Sequence, residues 1–299
     1  MRTPALSAWV VVGLFGVASV FLSGCKSGGE PQDRFSAVDK LSLAIDAEIP
    51  EKEIVLVIDH SRLAEEKGVE MPASQVTIYT DPGVNTPLLK HNPLVGLDLP
   101  FRILVYSEDM QGETAKTVYA SADFIRKRHG LDASVSLDAY TEALTNPLAH
   151  VPPELVSEVD GEGVTPGYGI QFLSSPFGFE ATIERLQKNV MAEGDTKWFT
   201  VVDYKEDAKS LGDELPRMKL LLFGGPAPGG MAMAKFPKLG LDAFCQKVLV
   251  YENGKEEVQV AYNDIVLFAE LHYGNSIKPH HMLNGRLSET FKRALELNE

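Results

Sequence analysis

The sequence Pro93-Leu94-Val95-Gly96-Leu97-Asp98 recurs 144 residues later as Pro237-Lys238-Leu239-Gly240-Leu241-Asp242. The same spacing relates Ile58-Asp59-His60 to Val202-Asp203-Tyr204. One inserted residue changes it to 145 at Leu104-Val105-Tyr106, and after a shortened turn it is 143 for His129 and His272. A spacing that strands, turns and prolines share over such a length indicates that a domain has been duplicated.

The duplication divides the chain into segments, which keep the following names below. Prolines and an acidic, glycine-bearing run separate the two repeats, and a helix is predicted between them. We assign residues 1–24 as a lipoprotein signal peptide, 25–33 as a tether, 34–130 as the first repeat domain, 131–166 as the connector, 167–274 as the second repeat domain and 275–299 as a C-terminal tail with a helix.

The start of the chain predicts its location. Arg2 precedes an apolar run over residues 6–22, which is the layout of a secretory signal and is short for a membrane span. Leu22-Ser23-Gly24-Cys25 then resembles the bacterial lipobox, which predicts lipid on Cys25 and membrane attachment through that lipid. Lys26, in place of an aspartate, favours the outer membrane facing the periplasm, by resemblance to the sorting pattern of enteric bacteria. An uncleaved anchor helix or ordinary secretion is the alternative.

Charge excludes one class of partner. The formal net charge is −14, and cleavage after residue 24 would remove Arg2 and make the chain more acidic. Such a surface repels phosphate backbones and anionic headgroups, so no nucleic acid is expected as a partner. Cys245 is the one other cysteine. If Cys25 carries lipid, Cys245 has no partner for an internal disulfide, and we interpret it as a small core residue, with a reactive thiol as the alternative.

Local patterns predict the elements of each repeat domain. The unbroken apolar run Ile54-Val55-Leu56-Val57-Ile58 is typical of a central strand that is buried on both faces. Gly224-Gly225-Pro226-Ala227-Pro228-Gly229-Gly230 is interpreted as a flexible turn, with an anion-binding loop as the alternative. After Gly274, a polar bend should lead to a terminal helix over residues 287–297.

A family resemblance follows from the repeated motifs. Phe223-Gly224-Gly225-Pro226 and Tyr262-Asn263-Asp264 in the second repeat domain, with Leu97-Asp98-Leu99-Pro100 and Arg128-His129-Gly130 in the first, resemble the bacterial family called domain of unknown function 302. The resemblance implies an α+β fold of two repeated domains, each an antiparallel sheet backed by helices in the β-α-β4-α layout of the TATA-box-binding protein. It implies no activity. No strand is evident before the helix at residues 34–48, so the first sheet is either one strand short or completed by the connector.

Acidic side chains recur at equivalent positions and, with His60 and its counterpart Tyr204, define a candidate cleft between the repeats. Carboxylates and an imidazole at strand ends are suited to acid–base chemistry, and interfaces between domains often bind ligands. The candidate residues are Asp59, His60, Asp98, Asp203, Tyr204 and Asp242. The structural interpretation, which we favour, makes Asp59 a helix cap beside a surface His60 and makes Asp98 and Asp242 anchors for turn amides.

Other histidines are also assigned structural roles. His129 and His272 end the closing helices, where an imidazolium would complement the helix dipole. His280-His281-Met282 is a candidate for a soft metal, but adjacent side chains diverge in regular structure, so we favour a polar loop and expect no metal. The sequence carries no Gly-x-Ser-x-Gly elbow, no His-Glu-x-x-His and no dinucleotide fingerprint, and no cofactor is expected.

Three functions remain open from the sequence. We favour a non-enzymatic envelope lipoprotein that binds a small ligand or a protein partner, because the repeats share no catalytic set. The alternatives are a hydrolase or other enzyme with its site in the interdomain cleft, and a structural or assembly lipoprotein.

Overall fold

Two five-stranded sheets organise the computed structural model, which describes residues 33–297. The strands of the first sheet are β1 (Ile54–Asp59), β2 (Ser74–Tyr79), β3 (Phe101–Tyr106), β4 (Lys116–Ala120) and β5 (Val156–Val159), and those of the second are β6 (Ile170–Ser174), β7 (Lys197–Asp203), β8 (Met218–Gly224), β9 (Gln246–Glu252) and β10 (Val258–Asn263). The strand orders are β1-β2-β3-β4-β5 and β6-β10-β9-β8-β7. The two sheets therefore repeat one another with β4 in the place of β10, which confirms the duplication.

The helices lie on both sides of each sheet. They are α1 (Ser36–Asp46), α2 (His60–Glu65), α3 (Pro82–His91), α4 (Ala122–His129), α5 (Asp138–Thr145), α6 (Phe179–Ala192), α7 (Tyr204–Ser210), α8 (Pro226–Met233), α9 (Ile265–Tyr273) and α10 (Lys278–Ala294). On the outer face, α1 and α5 contact the first sheet, and α6 and α10 pack together on the second. On the inner face, α2 packs against α8 and α3 against α7, so each repeat domain covers the other.

The connector completes the first sheet. β5 pairs with β4 in parallel, whereas β6 pairs with β10 antiparallel at the equivalent edge. The missing first strand is thus replaced by a later one, which confirms the second of the two alternatives predicted for this sheet. The α+β class, with two repeated domains built from sheets backed by helices, is confirmed.

The apolar run at residues 54–58 is not a central strand, and that prediction was wrong. β1 lies at the edge of its sheet, as β7 does in the second, and Val57 is 40% exposed. Ile54, Val55 and Leu56 are partly buried, so both faces of this edge strand are covered in part. An unbroken apolar run reports that both faces are covered, and it does not report the position of the strand in the sheet.

The glycine-rich run is a helix and not a flexible turn. Pro226 opens α8, Gly229 and Gly230 are buried in it, and Gly230 lies where this helix crosses α2. A Cβ atom on Gly230 would lie 2.5 Å from the Cβ of Ala64. The glycine is therefore required by the close approach of two helices.

The C-terminal helix starts earlier than predicted. α10 begins at Lys278, within the segment expected to be a polar bend, and His280 is buried on it. The His280 ring forms a hydrogen bond through Nε2 with the carbonyl of Ala232 at 3.0 Å and packs edge-on against Phe236. The polar-loop interpretation of His280-His281-Met282 was therefore wrong for His280, whose contacts fix the start of α10 against α8.

Candidate functional site

Asp59 and Asp203 cap the helices that follow their strands. Asp59 Oδ1 accepts a hydrogen bond from the amide of Arg62 at 2.8 Å, and Asp203 Oδ1 accepts one from the amide of Glu206 at 3.2 Å. Each carboxylate satisfies a first-turn amide that the helix leaves unpaired. The capping interpretation of Asp59 is confirmed, and Asp203 has the same role.

His60 and Tyr204 occupy equivalent positions and reach in opposite directions across the interface. The His60 ring forms a hydrogen bond through Nε2 with the carbonyl of Gly240 at 3.2 Å, and the Tyr204 hydroxyl donates to the carbonyl of Gly96 at 2.9 Å. Burial lowers the pKa of His60 to about 4, against the opposing effects of the Gly240 carbonyl and Asp59. The prediction of a surface histidine was wrong, because His60 is a neutral contact between the repeats.

Asp98 and Asp242 bind side chains of the closing helices. The Asp98 carboxylate lies 2.6 Å from Arg128 Nη1 and 2.5 Å from His129 Nε2, and Asp242 Oδ2 lies 2.6 Å from His272 Nε2. Burial alone would raise the pKa of Asp98, but Arg128 and His129 hold it well below its usual range. Side chains of α4 and α9, rather than turn amides, are thus the partners of both carboxylates, and the turn-anchor interpretation was wrong.

Arg128 links the two repeat domains. Its guanidinium is fully buried, and it donates from Nη2 to Asn263 Oδ1 at 2.6 Å and from Nε to the carbonyl of Tyr168 at 2.9 Å. Asn263 in turn donates to the carbonyl of Asp242 at 3.1 Å. These bonds connect the Asp98 ion pair of the first repeat domain to the Asp242 pair of the second.

Two further buried cations, Arg102 and Lys247, were missed by the sequence analysis. They occupy equivalent positions on β3 and β9, and their shared spacing of 145 was the signal that could have found them. Arg102 donates to the carbonyls of Leu97 and Leu99 at 3.3 and 3.4 Å. The Lys247 ammonium has no hydrogen-bond partner within residues 33–297. Burial, and then Arg102, lower the pKa of Lys247 to about 7, although Asp98 and Asp242 act in the opposite direction.

The predicted cleft is therefore a closed interface. Of its six residues, the structure brings His60, Asp98, Tyr204 and Asp242 into the buried layer between the repeats and leaves Asp59 and Asp203 as caps. A cavity of about 20 Å³ beside His60 and Cys245 has room for one water molecule. Burial raises the pKa of Cys245 to about 12, which supports its interpretation as a core residue.

An open pocket lies instead in the first repeat domain, on the outer face of the sheet. It has a volume of about 330 Å³. Tyr79 and Phe101, with ring centroids 5.4 Å apart, lie at its base and are almost fully buried, and Ala143 on α5 forms part of the wall. The pocket is also lined by four carboxylates, those of Glu48, Glu53, Asp81 and Glu142.

The equivalent position in the second repeat domain is filled. Its cavity has a volume of about 30 Å³ and is lined by the counterparts of Tyr79, Asp81, Val84 and Phe101, namely Phe223, Gly225, Pro228 and Gln246. Leu283, Arg286 and Leu287 of α10 lie over it. One fold position is thus open in the first repeat domain and covered in the second, because the segments that pack there come from the connector and from the tail.

The predicted lipidation site, metal ligands and membrane spans are considered last. Cys25, the predicted lipidation site, lies outside residues 33–297. Within that range, the structure places no three histidine, cysteine, aspartate or glutamate side chains where they could hold a metal ion. No helix in the same part of the chain is long and apolar enough to cross a membrane.

Comparisons with known proteins identify relatives. The chain is 30% identical over 125 residues to "Fluoride-specific ion channel FluC 1" of Brucella suis biovar 1 (strain 1330), which covers 42% of this chain and 46% of that protein. A FluC 1 of Brucella abortus biovar 1 (strain 9-941) matches at the same identity and covers 43% of its length. The chain thus spans less than half the length of these curated relatives.

A solved structure and a family model match as well. "Crystal structure of uncharacterized conserved protein DUF302 from Bacillus stearothermophilus" is 16% identical, with a TM-score of 0.37, and covers 42% of this chain and 98% of its own. The family model described as "Domain of unknown function DUF302" matches residues 36–151 and 171–296, which together exceed half of the chain. The chain therefore belongs to the DUF302 family and carries two tandem copies of its domain.

Proposed function

We propose that this protein is a lipid-anchored protein of the bacterial envelope that binds a small molecule in the pocket of the first repeat domain without transforming it. The observation that carries the proposal is the difference between the repeats. The pocket has a volume of about 330 Å³ in the first repeat domain, whereas the equivalent position in the second has about 30 Å³, with an adjoining surface pocket of about 760 Å³ between α8 and α10. The open volume falls at the lower end of the range of roughly 300–1,000 Å³ that small-molecule sites occupy.

The chemistry of the pocket favours binding over catalysis. Its lining contains carboxylates, a tyrosine, an asparagine and apolar groups, and none of the thirteen residues that define it is a histidine, cysteine, lysine, serine or threonine. The repeated groups that would suit acid–base work are buried between the domains and bonded to one another. A small molecule in this pocket would therefore meet carboxylates and an asparagine amide, and no thiol, amine or imidazole.

The attachment to a membrane rests on the sequence Leu22-Ser23-Gly24-Cys25. We expect the mature chain to begin at Cys25 with a thioether-linked lipid, and to face the periplasm from the outer membrane on a tether that ends at residue 33. A Cys25→Ser variant should lose the lipid mass from its N-terminal peptide and move from the membrane fraction to the soluble fraction. An unmodified Cys25 in the wild-type protein would contradict the anchor while leaving the binding proposal intact.

Binding is tested on the lipidated full chain, extracted in mild detergent from its own host and examined by native mass spectrometry. We expect the wild-type protein to retain a small molecule. Ala143→Trp should abolish retention, because the indole would fill the pocket. Ala181→Trp, on the exposed side of α6, is the matched control and should retain the molecule.

Two results would contradict the proposal. In the first, Ala143→Trp retains the small molecule as well as the wild-type protein does. In the second, the wild-type protein is extracted from the envelope without a small molecule, or bound only to another protein. The second result would indicate that this chain binds a protein partner and not a small molecule. Chemical conversion of the retained molecule by the purified protein would replace a binding function with an enzymatic one.

A further inference from the structure

Two cations of equivalent position share the buried layer between the repeats. Arg102 on β3 and Lys247 on β9 are only 7% and 3% exposed. Each strand packs across the interface, β9 against residues 93–97 of the first repeat domain and β3 against residues 237–240 of the second. Of all charged groups, Arg102 has the largest effect on Lys247. Because like charges repel strongly where water is excluded, this pair is unfavourable without negative charge nearby.

The charges of this layer do not balance. Its acidic and basic side chains are those of His60, Asp98, Arg102, Arg128, His129, Asp242, Lys247 and His272. The two arginines and a protonated lysine carry three positive charges, and the two aspartates carry two negative ones. Burial lowers the pKa values of His60 and His129, so these two rings add no compensating charge. At least one positive charge is therefore left over when Lys247 is protonated.

Hydrogen-bond donors are also in excess at the two cations. None of the N–H groups of the Lys247 ammonium has an acceptor among residues 33–297. The Arg102 guanidinium makes two long bonds, to the carbonyls of Leu97 and Leu99 at 3.3 and 3.4 Å, and its other donors remain available. Buried polar groups are nearly always satisfied by protein, water or a ligand. The missing partner therefore accepts hydrogen bonds and carries negative charge.

We propose that the layer between the repeats binds a small monovalent anion, a halide such as chloride, at Lys247 Nζ and the Arg102 guanidinium. This site is separate from the pocket of the first repeat domain and does not depend on the function proposed for that pocket. A halide accepts hydrogen bonds from every direction, so one ion would satisfy both cations. It needs a space comparable to that of the single water molecule that a buried polar group otherwise recruits.

Charge and packing disfavour the other ligand classes. A water molecule would accept hydrogen bonds from Lys247 but would leave the charge of the layer unbalanced. A larger anion would separate the repeats, because their contact is close on both sides. A Cβ atom on Gly96 would lie 3.0 Å from Leu249 Cδ1, and one on Gly240 would lie 3.0 Å from His60 Cδ2. A monatomic anion therefore fits the layer best.

Urea unfolding of the lipidated full chain in mild detergent measures the binding of chloride, because a ligand of the folded state lowers the unfolding equilibrium constant. Sodium gluconate keeps the ionic strength constant and supplies an anion too large for the layer. We expect the wild-type constant at neutral pH to fall about tenfold when about 100 mM gluconate is replaced by chloride, for a Kd of about 10 mM. No difference between the two salts would show that no anion binds, and would overturn the inference.

Two substitutions of Lys247 separate its charge from its hydrogen bonds. Lys247→Met removes both, and Lys247→Gln keeps an N–H donor without the charge. In each variant the change from gluconate to chloride should alter the unfolding constant by less than about twofold, which is the general effect of the salt. Lys188→Met, at an exposed site on α6, is the matched control and should keep the wild-type response. An equal response in wild type and in both Lys247 variants would overturn the inference.

Proton uptake gives a second readout, which a general salt effect would not change. Burial, and then Arg102, lower the pKa of Lys247 to about 7, so its amine is mostly neutral in the folded protein at about pH 8. An anion beside the amine favours the protonated form, so chloride should bind together with a proton. Chloride added to wild type in a weakly buffered solution should raise the pH, and Lys247→Met should give no rise. Stabilisation by chloride without proton uptake would place the anion away from Lys247 and contradict the site.

Discussion

Replacement of Asp98 by asparagine is expected to lower the free energy of unfolding by about 3–5 kcal/mol at neutral pH, because it leaves a buried cation without its counter-charge. The cation is Arg128, which is fully buried and bonded to both oxygens of Asp98. Asparagine keeps the shape of the side chain, so the loss reports charge and hydrogen bonding rather than packing. Urea unfolding followed by circular dichroism measures it.

Asp242→Asn is the matched control, because the second repeat domain has no arginine at the position equivalent to Arg128. Leu271 stands where the first repeat domain has Arg128, and the side-chain partner of Asp242 is His272. Asp242→Asn breaks a hydrogen bond and leaves no buried guanidinium without its carboxylate, so we expect a smaller loss of about 1–2 kcal/mol. Equal losses in the two variants would show that Arg128 finds compensation elsewhere and would contradict the assigned role of Asp98.

Acid should remove the contribution of Asp98 in the wild-type protein. The pKa of this carboxyl is held below its usual range in the folded state, so its stabilisation is present above the unfolded value of about 4. As the pH falls below that value, the unfolded chain takes up the proton first and the stabilisation declines. Asp98→Asn should lack this part of the acid dependence.

Replacement of Lys247 by methionine should have the opposite effect and stabilise the protein. Asp98 and Asp242 balance Arg102 and Arg128 in the buried layer, and a protonated Lys247 adds a positive charge that nothing in the layer neutralises. Methionine has a similar length and no charge. We expect the free energy of unfolding at pH 7 to rise by roughly 2–4 kcal/mol, a discounted value for a pKa shift of this size.

The pH dependence gives the sharper test of Lys247. Its pKa is about 7 in the folded protein and about 10.5 when unfolded, so the unfolded chain binds more protons between these values. Wild-type stability should therefore rise as the pH increases from 7 to 10.5, and the Lys247→Met curve should be flatter over that range. Lys188→Met, at an exposed site on α6, should keep the wild-type slope. Equal slopes in wild type and Lys247→Met would contradict the lowered pKa of Lys247 in the folded protein.

The repeats were visible in the sequence because duplication preserves spacing. The shared interval of 144 residues identified both domains and their family, and the capping signal at Asp59 was sufficient to predict the start of α2. The contacts of the candidate site residues could not be predicted in this way. Asp98 and His129 were noticed as separate motifs. Nothing in the sequence indicated that their side chains would bind one another beside Arg128.

The glycine-rich run at residues 224–230 shows the same limit of sequence analysis. Gly229 and Gly230 have the composition of a turn, yet they lie within α8, because only glycine lets this helix approach Ala64 of the other repeat domain. Periodicity and turn residues report the environment of one segment at a time. They do not report which distant segment will pack against it.

The sequence by itself determined the duplication, the α+β class, the family and the expectation of a lipid on Cys25, because each of these is written in local patterns or in their repetition. Only the tertiary structure decided which equivalent positions are buried and which are open. The connector places Ala143 and Glu142 beside Tyr79, and the tail places Arg286 over Phe223. The pocket of the first repeat domain and its smaller counterpart in the second therefore arise from contacts between segments far apart in the chain. Such contacts cannot be predicted from the spacing of either repeat.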